Sequence, residues 1–231
     1  MCGRFTQYFS WQDVHAYASL SSTPVDLSPR YNLAPGQQAA VIRDAGDGRE
    51  LSMLRWGLIP FWAKSPDIGY RTINARAETV RSKPAFRAAY RARRCAIPAD
   101  GFYEWARTGS RKQPYLITRG DASLMLLAGL WEQWRIPDGQ APTRALGSLQ
   151  TGDVLETFTI LTTEANEAMA EVHHRMPVLL DPETLAPWLV GEDVPLEPCR
   201  NELLTILPVS THVNNARNDD PECVRPLATL N

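Results

Sequence analysis

The sequence predicts an α+β fold built mainly on antiparallel sheet, in a single domain over residues 1–231. Three observations carry this. Strand-like runs occur in hairpin order with turn signals between them. Short capped helices intervene between the strand pairs. The chain has no internal repeat or low-complexity tract that would divide it, and at 231 residues it is long enough to bury a real core.

The elements follow in order. Ser10-Trp11-Gln12-Asp13 has the pattern of an N-cap with an acid three residues on, and opens a helix to about Leu20. Ser21 to Pro29 is a Ser- and Pro-rich loop, and Tyr31-Asn32-Leu33-Ala34-Pro35-Gly36 ends in a turn signal. Ala39–Arg43 and Leu51–Trp56 read as strands about the Asp44-to-Gly48 turn. Trp56 to Trp62 is an aromatic, Pro-interrupted loop, apolar enough to be folded under itself or to bind something. A helix is expected from a cap near Ser82, with Pro84 in its first turn, to about Arg93.

Arg94–Ile97 and Gly101–Trp105 read as a hairpin about Pro98-Ala99-Asp100-Gly101. Alternation there puts Phe102 and Glu104 on one face, Tyr103 and Trp105 on the other. Strands are expected at Pro114–Arg119, Leu124–Leu130, Phe158–Thr163 and Leu203–Val209, and a long loop over Ile136–Gln150. A short helix from Glu164 to Val172 delivers His173-His174-Arg175-Met176-Pro177, and Asp181-Pro182-Glu183 starts another that runs to about Val190. Thr211 to Val224 reads as loop.

Bulk properties narrow the function. None of the four cysteines, Cys2, Cys95, Cys199 and Cys223, forms a C-x-x-C pair, which argues against a zinc ribbon, and no metal or cofactor is expected. The N-terminus lacks a signal-peptide pattern and no run of 18 apolar residues exists, so no membrane span is expected. A reducing cytoplasm is the default setting. Net charge is −2 but uneven. From Arg71 to Arg94 eight basic residues face one acid, Glu78, whereas from Asp181 onward nine acids outnumber three arginines. The basic stretch is either a local polyanion site or a solvated helix face.

The residue with the most specific chemistry is Cys2. Removal of Met1 leaves a residue that carries a free α-amine and a thiol on adjacent carbons, and such a 1,2-aminothiol condenses with an aldehyde to a thiazolidine. With a pKa of about 7.7–8.0, roughly a third of an α-amine is free base near pH 7.5, against about one part in a thousand of an ordinary lysine. Three further residue types serve that chemistry. Glu104 can shuttle protons, unless it is an edge ion-pair residue; His173 or His174 can protonate a sugar oxygen; and Asn74 can hold the terminus through a neutral amide.

Several blocks together resemble the SOS-response-associated peptidase (SRAP) family. They are Met1-Cys2-Gly3-Arg4-Phe5; Tyr31-Asn32 with Ala34-Pro35; Trp56-Gly57-Leu58-Ile59-Pro60; and Asn74-Ala75-Arg76-Ala77-Glu78-Thr79. The others are Arg94-Cys95 with Ile97 through Trp105; Ala128-Gly129-Leu130-Trp131; and His173 with Arg175-Met176-Pro177. The resemblance spans Met1 to about Val224. It implies a barrel-like β core with surrounding helices, and a protein that crosslinks to abasic sites in single-stranded DNA. It also implies the roles: Cys2 as nucleophile, Asn74 as its positioner, Glu104 as the proton-transfer acid, and His173 as the family histidine. Arg4 and Arg76 fall on arginines expected to hold DNA phosphates. Pro35, Phe61, Trp62 and Arg81 complete the expected DNA-contacting set, with Phe61-Trp62 standing where some relatives are richer in Trp. A monomer is expected, in the cytoplasm and on the nucleoid when bound to DNA. The alternatives are a cysteine peptidase with Cys2 as N-terminal nucleophile, including self-removal of Met1, and a non-covalent reader of modified DNA.

Overall fold

A computed structural model gives the fold and describes residues 2–109, 111–143 and 145–227. In chain order the elements are β1 (Arg4–Gln7), α1 (Trp11–Ala18), β2 (Arg30–Leu33), β3 (Gln38–Asp44), β4 (Arg49–Trp56), β5 (Asn74–Arg76), α2 (Arg87–Ala92), β6 (Arg94–Ala99) and β7 (Gly101–Thr108). There follow β8 (Arg111–Arg119), β9 (Met125–Arg135), β10 (Val154–Glu164), α3 (Glu167–Ala170), β11 (Arg175–Pro177), β12 (Leu179–Leu180), α4 (Pro182–Leu189) and β13 (Leu204–Pro208).

The strands form two sheets. In the larger, β4, β3, β6 and β9 follow one another, and β10 pairs with both β9 and β4, which closes a five-stranded barrel. Only the β4–β10 seam is parallel, with Arg55 opposite Thr157 and Trp56 opposite Phe158; the other barrel pairings are antiparallel. β5 adds to β10 in parallel, with Asn74 opposite Ile160 and Arg76 opposite Thr162. The second sheet has the order β13-β8-β7-β1-β2.

The period-2 alternation of the barrel strands sorts two cores. Val41, Leu54, Trp56, Cys95, Ile97, Leu127, Phe158 and Ile160 pack in one cluster that continues into Cys2, Phe5 and Phe102 of the second sheet. Ala40, Ile42, Ala96, Leu126, Ala128 and Leu130 belong to another, where they meet α1, α2 and α4 through Val14, Tyr90 and Trp188. The second cluster is the barrel's outer jacket; the first fills the barrel and seals its junction with the second sheet.

The α+β reading and the barrel-like core stand, and several local expectations hold. α1 has its capping box, with Ser10 Oγ accepting from Asp13 N at 3.2 Å and Asp13 Oδ2 accepting from Ser10 N at 2.8 Å. Others change. The expected hairpin over Arg94–Trp105 does not form: β6 pairs with β3 and β9, and β7 with β1 and β8, so the chain switches sheets at Asp100. A turn signal marks a change of direction but carries no information about pairing partners. The helix expected from Ser82 is confined to Arg87–Ala92, with turns from Glu78 to Phe86 before it, because Pro84 restricts the residue before it and lacks a donor. The helix expected from Glu164 is one turn, capped by Asn166, since β10 runs on to Glu164. The tail is ordered as two 3-10 turns, Thr211–Asn214 and Pro221–Val224, that dock on β2. Asn32 Nδ2 donates to three tail carbonyls, Val213, Asn215 and Asn218, and Asp219 accepts from Tyr31 N and Asn32 N.

Candidate functional site

The site forms where the second sheet caps the mouth of the barrel. β1 lies between β7 and β2, with Phe5 opposite Phe102 on one side and Leu33 on the other. This register lays the residues just before β1 over the barrel. Cys2 is fully buried, and its Sγ lies 3.8 Å from the Arg4 carbonyl oxygen.

Asn74 comes from the other sheet. Alternation along β5 buries Ala75 in the outer core and turns Asn74 and Arg76 to the opposite face. Nδ2 of Asn74 donates to the Cys2 carbonyl oxygen at 2.7 Å. Its own Oδ1 is buried and has no hydrogen-bond partner among the described residues.

Glu104 is presented by β7. As its sequence alternation predicts, Phe102 and Glu104 face the barrel mouth, while Tyr103 and Trp105 join a separate cluster with Val209, Val213 and Cys223. The Glu104 carboxylate is 4% exposed, and its Oε1 lies 4.0 Å from Nδ1 of His173. His173 is set by α3, where its N–H donates to the Met169 carbonyl at 2.8 Å. Its Nδ1 lies 3.0 Å from Arg175 N, from which the neutral ring accepts in one tautomer, and 3.2 Å from the Arg175 carbonyl oxygen, to which it donates in the other.

The electrostatics follow from burial. Desolvation drives the Cys2 thiol far above its ordinary value, and the Glu104 carboxylate pushes the same way, so the resting group is a neutral thiol. Desolvation lowers the His173 imidazole below its usual value, against an opposing pull from Glu104. The site therefore holds a buried carboxylate, a neutral imidazole, a protonated thiol and an amide on the terminal backbone.

The expected DNA contacts separate into groups. Arg76 is exposed and opens on a cavity of about 550 Å³ that it shares with Glu164, His174 and Arg175. Phe61 and Trp62 are exposed at the tip of a turn that is fixed from below, where Trp134 Nε1 donates to the Ala63 carbonyl at 2.7 Å. Pro35 lines a second cavity of about 610 Å³. Arg4 is on the Tyr103 face of β1, not the Glu104 face: its Nη1 donates to Asn32 Oδ1 at 2.8 Å and to the Val213 carbonyl at 3.1 Å. Arg81 lies apart, paired with Asp193 at 3.0 Å and beside the Tyr90 ring on the outer jacket. Of the other basic residues in that stretch, Arg94 is buried between the Tyr90 and Trp188 rings and Arg93 pairs with Glu132.

Sequence reasoning did not single out Arg175. It is buried and forms a bidentate pair with Glu78 through Oε1 at 2.5 Å and Oε2 at 3.0 Å, while its Nη2 reaches the Thr162 carbonyl at 2.6 Å. It thereby ties the His173 segment to the strand region that carries Asn74 and Arg76. Its place in His173-His174-Arg175-Met176-Pro177 was the available signal.

Comparison with known proteins agrees with this architecture. A family model described as SOS response associated peptidase (SRAP) matches residues 1–216. The abasic site processing protein YoqW of Bacillus subtilis is 38% identical over 234 residues, covering 97% of this chain and 99% of the relative. The abasic site processing protein HMCES of Xenopus tropicalis is 34% identical over 233 residues, covering 85% of this chain and 65% of that longer protein. A crystal structure of a protein from Bacteroides thetaiotaomicron superposes with a TM-score of 0.82 at 26% identity, covering 98% of this chain and all of that one.

Proposed function

The chain belongs to the SOS response associated peptidase (SRAP) family, and from that premise we propose that it processes abasic sites in DNA by joining them covalently to Cys2. The partner is the abasic deoxyribose of a single strand, which exists in part as a ring-opened aldehyde. The observation that carries the reading is the hold of Asn74 on Cys2: one amide group grips the Cys2 carbonyl and leaves a buried acceptor beside it. With Met1 removed, that acceptor is available to an N–H of the Cys2 amine and would aim its lone pair.

The proposed reaction proceeds in four proton-balanced steps. His173, once protonated, gives a proton to the sugar ring oxygen, and the C1′ hydroxyl proton passes back to the imidazole, which opens the sugar to the aldehyde. Glu104 takes a proton from the Cys2 ammonium, and the free amine adds to the carbonyl carbon. Glu104 returns the proton to the carbinolamine hydroxyl, which leaves as water to give the imine. The Cys2 sulfur then adds to the imine carbon, its proton passing to the nitrogen through Glu104, and a thiazolidine closes. The net change is loss of one water. Burial keeps the sulfur a thiol until the imine exists, which orders the steps with the amine first. The same protonation makes the thiol a poor first nucleophile for peptide hydrolysis. Closure removes the imine, from which β-elimination would break the strand. Arg76 and the remaining donors of Arg4 are the proposed phosphate contacts, with Phe61, Trp62 and Pro35 against the bases.

Intact mass of the protein after incubation with a single-stranded abasic oligonucleotide tests this. The expected species is the chain lacking Met1, plus the oligonucleotide, less one water. No adduct, or an adduct still formed by Cys2→Ala with the same heat stability, overturns it.

A further inference from the structure

The cavity of about 610 Å³ that Pro35 lines is built around a buried charge. Alternation along β4 sends Leu54 and Trp56 into the barrel and Arg55 outward. Yet Arg55 is only 4% exposed, and its Nε and Nη1 are buried with no hydrogen-bond partner among the described residues. An arginine does not discharge by losing its proton, so this guanidinium is a standing cation that no carboxylate among the described residues neutralises. Desolvation lowers its pKa, as expected of a charge out of water, against an opposing pull from the Tyr70 hydroxyl. The backbone is shaped to admit it: a Cβ at Gly69 would stand 3.1 Å from Nη1, and one at Gly36, whose φ is +87°, 3.4 Å from Nη2.

The carboxylate in the cavity wall does not answer the charge. Asp219 is taken by Arg30 and by the backbone N–H groups of Tyr31 and Asn32. A second guanidinium, the exposed Arg217, opens on the same cavity and has no ion-pair partner among the described residues. Beside Arg55, the Tyr70 ring lies 5.5 Å from the guanidinium carbon and is 53% exposed. Paired arginine forks with an exposed aromatic face suit a phosphodiester and the base next to it. The wall is also continuous with the Cys2 strand: Asn32 accepts from Arg4 through Oδ1 and donates through Nδ2 to the carbonyl of Asn215, which lines the cavity.

We infer that this cavity is a phosphate subsite, in which Arg55 and Arg217 hold one backbone phosphodiester of the bound strand and Tyr70 stacks on the adjoining base. This rests on the reading of the protein as a processor of abasic DNA, and deepens it by assigning a strand contact away from Cys2.

The test uses the full chain in a Cys2→Ala background, so that binding is read at equilibrium, and abasic oligonucleotides in which one phosphodiester at a time is replaced by an uncharged methylphosphonate. One position should weaken binding about ten-fold in the parent, the size of a lost charge-assisted hydrogen bond. Arg55→Gln should abolish the sensitivity at that position and leave the others unchanged. Arg217→Gln, a surface change that disturbs no packing, should reduce it at the same position and decides the matter should Arg55→Gln not fold. Independence of every backbone position from both arginines overturns the subsite. A melting temperature raised by inorganic phosphate in the parent but not in Arg55→Gln, with no coupled backbone position, assigns the cavity to a free anion and overturns the strand assignment. A denaturing gel of the unsubstituted chain on abasic DNA separates the two readings: coupling without crosslinking leaves the subsite standing and removes the Cys2 chemistry.

Discussion

Asn74 holds Cys2 by its backbone: Nδ2 of the one donates to the carbonyl oxygen of the other at 2.7 Å. The bond joins β5, part of the barrel sheet, to the segment leading into β1 of the second sheet. For Cys2 as the proposed nucleophile with Met1 removed, this outside clamp supplies the orientation that a helix or strand would otherwise give.

Asn74→Ala should therefore slow crosslink formation by about ten- to a hundred-fold, the equivalent of one or two hydrogen bonds at a buried site, while thermal stability changes little. Time courses on a denaturing gel measure it. Formation at the parent rate would show that the Asn74–Cys2 bond has no part in the reaction.

Glu104→Gln keeps the shape of the side chain and removes its basicity. The expected loss is about 10²–10⁴ in the rate of crosslink formation, the usual share of general acid–base help, with DNA affinity unchanged. A variant that binds weakly but crosslinks normally once bound would move Glu104 from chemistry to binding.

His173→Ala should slow both formation and release of the adduct, because ring opening and reclosure pass the same proton. His174→Ala should not, since the exposed His174 ring faces the Arg76 cavity and stacks on His173 at 4.3 Å between centroids without standing between His173 and Glu104. The reverse ranking would exchange their roles.

Arg76→Ala should weaken binding to single strands of any sequence and lower the slope of log affinity against log salt by about 0.7, one phosphate contact. Filter binding at several salt concentrations gives the slope, and an unaltered slope assigns Arg76 to another task.

Asp100 gives a pH signature of folding. Burial raises its carboxyl from 3.8 to about 6, against hydrogen bonds from Tyr8 N and Phe9 N. Between those values the folded state binds more protons than the unfolded state, so this group's contribution to stability falls as pH rises through the window. Asp100→Asn should flatten that part of the melting-temperature profile and raise stability at neutral pH relative to the parent. Parallel profiles for the two proteins would contradict it.

The local strands and the division of faces were legible in the sequence because side-chain alternation is written there directly. Phe102 and Glu104 against Tyr103 and Trp105 was one such case, and the Ser10 capping box was another. What was not legible was pairing between distant strands, on which the site depends. The break between β6 and β7 read as a hairpin, since two strands about a Pro-Ala-Asp-Gly turn look the same whether they pair or part. Likewise the basic stretch read as one charged region. Its members divide by face and by partner, leaving Arg76 open while Arg81, Arg93 and Arg94 turn to Asp193, Glu132 and the Tyr90 and Trp188 rings. Arg55 gave no signal, as one charge in Leu54-Arg55-Trp56 reads as an ordinary outward residue.

The placement of β1 has a consequence for synthesis on the ribosome. Phe5 can meet Leu33 early but lacks its other strand partner until Phe102 has been made, and the Asn32 brace on that flank waits for Asn218. The first residues to emerge are thus among the last to be settled, since contacts so far apart in the chain form slowly. Through most of translation the terminus stays open to trimming enzymes, and no chain that stops short of His173 brings Cys2 together with both Glu104 and His173. The proposed reacting set of Cys2, Glu104 and His173 exists only once the chain has been made through His173.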